Sequence, residues 1–162
     1  MQYQTSTPIE KSPLLRALPQ DLQPGIGFDD LFIGQSEGHV LDLWGEPEQR
    51  ERVDESFYLI YKSRALEIEL QEGQVYRLFF FARKGRNRGM PVAVNGVSFS
   101  ATKRQVTKSF GPPEDRGPGR VLSNRKYLRA WFLYPQGVQF EFGKSGKVEL
   151  ITIFRPGTDT SK

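Results

Sequence analysis

Two stretches of this chain alternate strictly between apolar and polar residues. Leu66-Glu67-Ile68-Glu69-Leu70 and Val138-Gln139-Phe140-Glu141-Phe142 put every second side chain on one side, the period of a strand with one buried face. Each follows an aromatic-rich run, Phe57 to Lys62 and Leu128 to Pro135. Each leads through a turn, Gln71-Glu72-Gly73-Gln74 or Gly143-Lys144-Ser145-Gly146, into a third run, Val75 to Phe81 or Val148 to Phe154. Those turn sequences suit hairpins. The pattern predicts two antiparallel meanders.

Ahead of each meander the period becomes helical. Ser36 and Thr102 carry hydroxyls that cap a helix N-terminus. Apolar residues then recur at Val40, Leu41 and Trp44, and at Val106 and Phe110, the spacing of one helix face. Gly45-x-Pro47 and Gly111-x-Pro113 stop each helix, glycine by taking a left-handed turn and proline by blocking resumption. The two segments lie 66 residues apart. Self-similarity at a fixed interval predicts a duplicated unit. The fold expected is α+β: two tandem repeats over 25–90 and 91–157, each a short helix plus a three- to four-stranded antiparallel meander, with the helices on one face of the sheet. The extended stretches Ile26-Gly27-Phe28 and Val92-Ala93-Val94 are candidates for the fourth strands. Residues 1–24, with prolines at 8, 13, 19 and 24, read as an N-terminal arm, and 158–162 as a tail.

Strand parity then assigns faces. Leu66, Ile68, Leu70, Val138, Phe140 and Phe142 point to the helices, and Tyr58, Arg77, Phe79, Tyr127, Arg129, Trp131 and Glu141 point away. Tyr, Trp and Arg among carboxylates is the composition of an interface core and its hot spots. The same pattern would arise if the arm or the other repeat covered these aromatics, or if the register slipped by one residue.

Composition adds a charge asymmetry. The net charge of +4 divides into −7 over residues 1–82 and +11 over residues 83–162. Such a dipole orients docking on a charged partner. Arg83, Lys84, Arg86 and Arg88 form a basic link between the units, and Arg116, Arg120, Arg125, Lys126 and Arg129 cluster in the second. Basic residues beside aromatics suit an acidic protein patch, or phosphates and stacked bases; a solvated linker has the same composition. Twelve Phe, six Tyr and two Trp supply a core, and the absence of cysteine removes disulfides, thiolate metal sites and a Cys nucleophile. No secretory leader or membrane span is read in the chain, and a cytoplasmic protein is expected.

Catalytic signals are weak. The lone His39 sits at a helical position and reads as structural sooner than as a base. A single His makes no metal site without carboxylates. Phosphate-loop, dinucleotide and zinc-protease motifs do not occur. Asp29-Asp30 precedes a helix and reads as capping, while Glu67 and Glu69 share a strand face about 7 Å apart, a spacing met in glycoside hydrolysis but also on any solvated strand. No enzyme activity, cofactor or metal is expected.

A capped helix ending in Gly-x-Pro, followed by an antiparallel meander, in tandem over residues 26–156, resembles the β-lactamase-inhibitory-protein-like fold and the SmpA/OmlA (BamE-type) lipoprotein domain. The resemblance implies a scaffold that binds other proteins, most concretely an immunity protein that neutralises a cognate bacterial toxin. A nucleic-acid-binding module and an envelope or secretion assembly factor are the alternatives.

Overall fold

The computed structural model describes residues 20–82 and 90–157; the expected arm up to residue 19, the basic link 83–89 and the tail 158–162 lie outside the described residues. The chain enters through β1 (Gln20–Asp21) and the hairpin of β2 (Gly27–Phe28) and β3 (Leu31–Phe32). Leu22 and Leu31 are buried in the core here. Ser36 then opens α1 (Glu37–Trp44), its Oγ accepting from the His39 amide at 3.2 Å. Gly45 ends the helix at φ 77° and ψ −173°, a region open essentially to glycine alone. This is extended backbone of positive φ and not the left-handed helical turn expected from the sequence. Its N–H donates to the Leu41 carbonyl at 2.9 Å.

Four strands follow in a meander: β4 (Gln49–Val53), β5 (Ser56–Tyr61), β6 (Leu66–Gln71) and β7 (Gln74–Phe81). Beyond the link, β8 (Val92–Val94) pairs in parallel with β1 and antiparallel with β9 (Val97–Ser98). Thr102 opens α2 (Lys103–Phe110) with a reciprocal capping box: Gln105 N–H donates to Thr102 Oγ1, and Thr102 N–H to Gln105 Oε1 at 2.8 Å. Next come β10 (Asp115–Gly117), a ribbon of β11 (Arg120–Val121) and β12 (Tyr127–Leu128), and then β13 (Ala130–Tyr134), β14 (Val138–Phe142) and β15 (Val148–Phe154).

Eight of these strands make one antiparallel sheet in the order β10-β13-β14-β15-β7-β6-β5-β4. Its centre is the pairing of β15 with β7, which sets Ile153 against Leu78 and Ile151 against Phe80. Cross-strand register carries the rows on: Leu59, Ile68, Leu78, Ile153, Val138 and Tyr134 face the same way. All six are buried, in one hydrophobic cluster that spans both ends of the sheet and takes in Val40 of α1 and Val106 of α2. Burial of each Leu, Ile or Phe is worth about 1.5–3 kcal/mol. Two tyrosines fasten the helix ends to the sheet, Tyr61 Oη donating to Gly45 O at 2.8 Å and Tyr134 Oη to Gly111 O at 3.0 Å.

The α+β expectation of two helix-plus-meander repeats is corrected by this architecture. The described chain is predominantly β, with two eight-residue helices against fifteen strands, and is organised by one eight-stranded sheet. The physical reason is the seam. A terminal strand left alone exposes a row of unpaired N–H and C=O groups, and here β7 and β15 satisfy each other. The expected fourth strands are corrected too. Gly27–Phe28 and Val92–Val94 pair in small separate sheets, while the flank of each meander is supplied after the helix, by β4 and β10.

Because both ends of the sheet share one core, Phe80→Ala at the seam is expected to cost about 3–5 kcal/mol in urea unfolding. The single-tryptophan variants Trp44→Phe and Trp131→Phe are expected to report one common midpoint by fluorescence. Separate midpoints would show independent halves.

Candidate functional site

Both helices sit on the face that holds Val40, Val106 and the buried rows. The opposite face of the sheet carries three rows of its own. Glu51, Tyr58, Glu69, Arg77 and Phe154 align across β4, β5, β6, β7 and β15. Ile60, Glu67, Phe79, Thr152, Gln139 and Leu133 form the second row, and Phe81, Leu150, Glu141 and Trp131 the third. Ile60, Leu150, Thr152 and Phe154 are buried, whereas Tyr58, Phe79, Phe81, Trp131 and Leu133 are half-buried and keep surface towards solvent. From Tyr58 on β5 to Trp131 on β13 the face crosses five strand spacings, about 24 Å.

One end of this face holds a buried ion pair. Glu69 is only 3% exposed. Its Oε1 accepts from Tyr58 Oη at 2.9 Å, and its Oε2 lies 2.9 Å from Arg77 Nε. The second approach is an ion pair misaligned as a hydrogen bond, so Oε2 and Nε are buried without a directed partner. Charged atoms in that state carry much of their desolvation cost uncompensated. The Arg77 guanidinium also stacks 5.1 Å from the Tyr76 ring, and Tyr58 packs 6.5 Å from Phe79. Burial, the hydrogen bond to Glu69 and the Glu69 charge push the Tyr58 phenol up to about 12. Two further carboxyls on this face are pushed up. Burial raises Glu67, helped by the negative charge of Glu51. Burial also raises Glu141, with Arg129 and a hydrogen bond from Gln139 acting against it.

The structure therefore brings Tyr58, Arg77, Phe79, Trp131 and Glu141 onto one face. Arg129 stands just before β13 and pairs with Glu149, Nε to Oε2, at 3.3 Å. Tyr127 lies apart, in the β11–β12 ribbon opposite Val121, its hydroxyl end over Gly119. Arg83, Lys84, Arg86 and Arg88 lie outside the described residues. Arg116, Arg120, Arg125 and Lys126 are exposed around the ribbon.

Two of the candidate acid–base residues, Glu69 and His39, are engaged by neighbouring side chains. Glu69 serves Tyr58 and Arg77. His39 Nδ1 is 3.1 Å from Gln35 Nε2 and its ring packs edge-on to Phe32. Asp30 contributes its carbonyl oxygen, which accepts from Trp44 Nε1 at 2.8 Å and from Gln35 Nε2 at 3.1 Å. Glu67 and Glu141 stand on β6 and β14, with β7 and β15 between them. Among the described residues no group of three or more His, Asp or Glu converges as a metal site, and no helix is long and apolar enough to cross a membrane. The Glu69–Arg77–Tyr58 cluster went unread as a unit in the sequence. Its signal was there: Glu69 sits at the parity of Tyr58 and Arg77, and fixing the register makes them neighbours.

No family model and no curated protein sequence matches the chain. Solved structures do share the fold. An extracellular protein containing a SCP domain from Bacillus anthracis is 12% identical, with a TM-score of 0.50 over 76% of this chain and 44% of that one. A cysteine-rich secretory protein from Staphylococcus aureus is 11% identical, with a TM-score of 0.51 over 85% of this chain and 50% of that one. A DUF4309 family protein from Bacillus subtilis is 15% identical, with a TM-score of 0.52 over 81% of this chain and 88% of that one. The chain thus spans half or less of the first two proteins. At these identities the likeness is one of fold.

These likenesses correct three expectations. The sheet-rich fold matches SCP-domain and DUF4309 structures, and no β-lactamase-inhibitory-protein-like or SmpA/OmlA-like match was found. The label of toxin immunity protein leaned on that resemblance and falls with it. The cytoplasmic placement is withdrawn as well, since two of the matched proteins are described as extracellular or secretory.

The raised phenol gives a pH signature. Between pH 10 and 12 an unfolded chain has lost the Tyr58 proton while the folded chain keeps it, so stability falls as pH rises through that window. The difference between wild type and Tyr58→Phe in a tyrosine absorbance titration is expected to show one phenol ionising near 12. A difference centred near pH 10, the ordinary value, would remove the buried Glu69 contact.

Proposed function

We propose that this chain is a protein-binding module, and that the face of the sheet opposite the helices docks its partner. The observation that carries the reading is the half-buried set of Tyr58, Arg77, Phe79, Phe81 and Trp131 spread along that one face. Large aromatics and arginine dominate binding energy at interfaces. Here they stand on paired strands, so little side-chain or loop freedom is lost on docking. Arg77 is held by Glu69 before a partner arrives. The span of about 24 Å matches a patch of about 800 Å² per partner in a standard interface. The function is one of binding without chemistry of its own. Its partner is sought outside the cytoplasm, in line with the extracellular and secretory descriptions of two structures of like fold, which favours a role in assembly at the cell envelope.

Affinity capture with the chain is expected to recover a partner at fixed stoichiometry. Trp131→Ala and Phe79→Ala are each expected to weaken that complex by about 2 kcal/mol or more, with the melting temperature kept within a few degrees. Wild-type affinity in the double variant would exclude this face.

A second reading rests on the ribbon. Arg120, Arg125 and Lys126 are exposed there, and no Asp or Glu occurs from Arg116 to Phe140. Nucleic-acid binding through this segment would fall steeply with salt. The protein-binding reading expects no retention on RNA or DNA columns at about 50 mM salt, where phosphate contacts are strong; retention that is lost by about 200 mM would favour the ribbon.

A further inference from the structure

The helix-bearing face is closed at one end of the sheet and open at the other. Near α2, Phe132 packs edge-on to Phe142 at 4.9 Å, and Lys103 Nζ sits 5.7 Å from the Phe142 ring centre. Phe132 is 8% and Phe142 0% exposed. Near α1 the matching corner is not filled. The helix begins at the β6–β7 turn, where the Glu37 N–H donates to Gly73 O at 3.0 Å, and the smaller Leu59 and Leu70 stand where the α2 end has Phe132 and Phe142. A cavity of about 480 Å³ remains between the start of α1 and strands β4 to β6. That lies within the range of small-molecule sites. Leu59 and Leu70 floor it and are buried, while Phe57, paired with Leu70 across the strands, is 49% exposed.

Charge on the rim selects the ligand. Arg50 is occupied, with Glu37 at 3.1 Å and Glu46 at 2.8 Å. Glu51 and Tyr58 also line the cavity, while their cross-strand pair places both side chains in the row of the opposite face. Arg52 is different. Its guanidinium carbon lies 5.3 Å from the Phe57 ring centre, and its Nε donates to the Asp54 backbone oxygen at 3.2 Å. Among the described residues no carboxylate pairs with it. A guanidinium stacked on a ring with its two terminal nitrogens unpaired is posed to receive a carboxylate through two parallel hydrogen bonds. We infer that this corner binds a carboxylate with an apolar chain, its head on Arg52 and its tail along Phe57, Leu59 and Leu70. The inference stands on the helix-bearing side of the sheet and is independent of the proposed protein-binding face.

Amide NMR titrations of the chain with octanoate and with neutral 1-octanol test this site. Octanoate is expected to give saturable shifts confined to residues 50–58 and 70–73, and to bind more tightly than octanol. Arg52→Gln is expected to weaken octanoate at least about tenfold, the loss of a charge-assisted pair, and to leave octanol unchanged. Phe57→Ser is expected to weaken both. No saturable shift at those amides, or octanoate no tighter than octanol in the wild type, would overturn the inference. Equal octanoate affinity in a folded Arg52→Gln variant would do the same.

Discussion

Every other feature of this molecule depends on the antiparallel pairing of β7 with β15. Five registered pairs, from Leu150 with Phe81 to Phe154 with Arg77, join strands that would otherwise each end a small meander. Two edges vanish, and the buried rows on either side become one. Leu78, Phe80, Ile151 and Ile153 are 0–1% exposed at this seam. The remaining edges are β4, which reads Gln-Arg-Glu-Arg-Val, and the three-residue β10. Charge and shortness discourage pairing with a further chain there. The sheet thus ends where it can end safely.

The same seam makes the opposite face continuous. Arg77 and Phe79 belong to β7 and Trp131 to β13, yet one cross-strand row links Phe79 through Thr152 and Gln139 to Leu133. An aromatic face of this width needs both meanders. The buried Glu69–Arg77 pair is costly as a stabilising device, since well-packed apolar residues would serve as well or better. Its value lies in holding a cation and a phenol in fixed positions among aromatics. The corner beside Arg52, on the other side, arises from a different cause: Leu59 and Leu70 leave space that the larger Phe132 and Phe142 fill at the α2 end.

Much of the face assignment was legible in the sequence because strand parity admits few errors. Once Glu67 and Glu69 are set outward, Tyr58, Arg77 and Trp131 follow. The caps were legible for the same local reason: Ser36 and Thr102 bond to amides three residues on. What parity does not encode is which strand lies beside which. The seam has no local signal, so the chain read as two modules when it forms one sheet. β4 was missed because an exposed edge strand has no apolar alternation, and β10 because three residues between Pro113 and Pro118 resemble a loop. The apolar stretches Gly27–Phe28 and Val92–Val94 looked like sheet strands. They pack against the core in small sheets of their own, Val92–Val94 buried and Phe28 half-buried.

Native-state hydrogen exchange tests the central claim most directly. If the β7–β15 pairing unites the molecule, the amides that cross the seam will exchange only through global unfolding. They will then share the largest protection with the centre of β6 and of β14. Seam amides that exchange far faster than β6 and β14 would show two units lying edge to edge, and the continuous face would lose its basis.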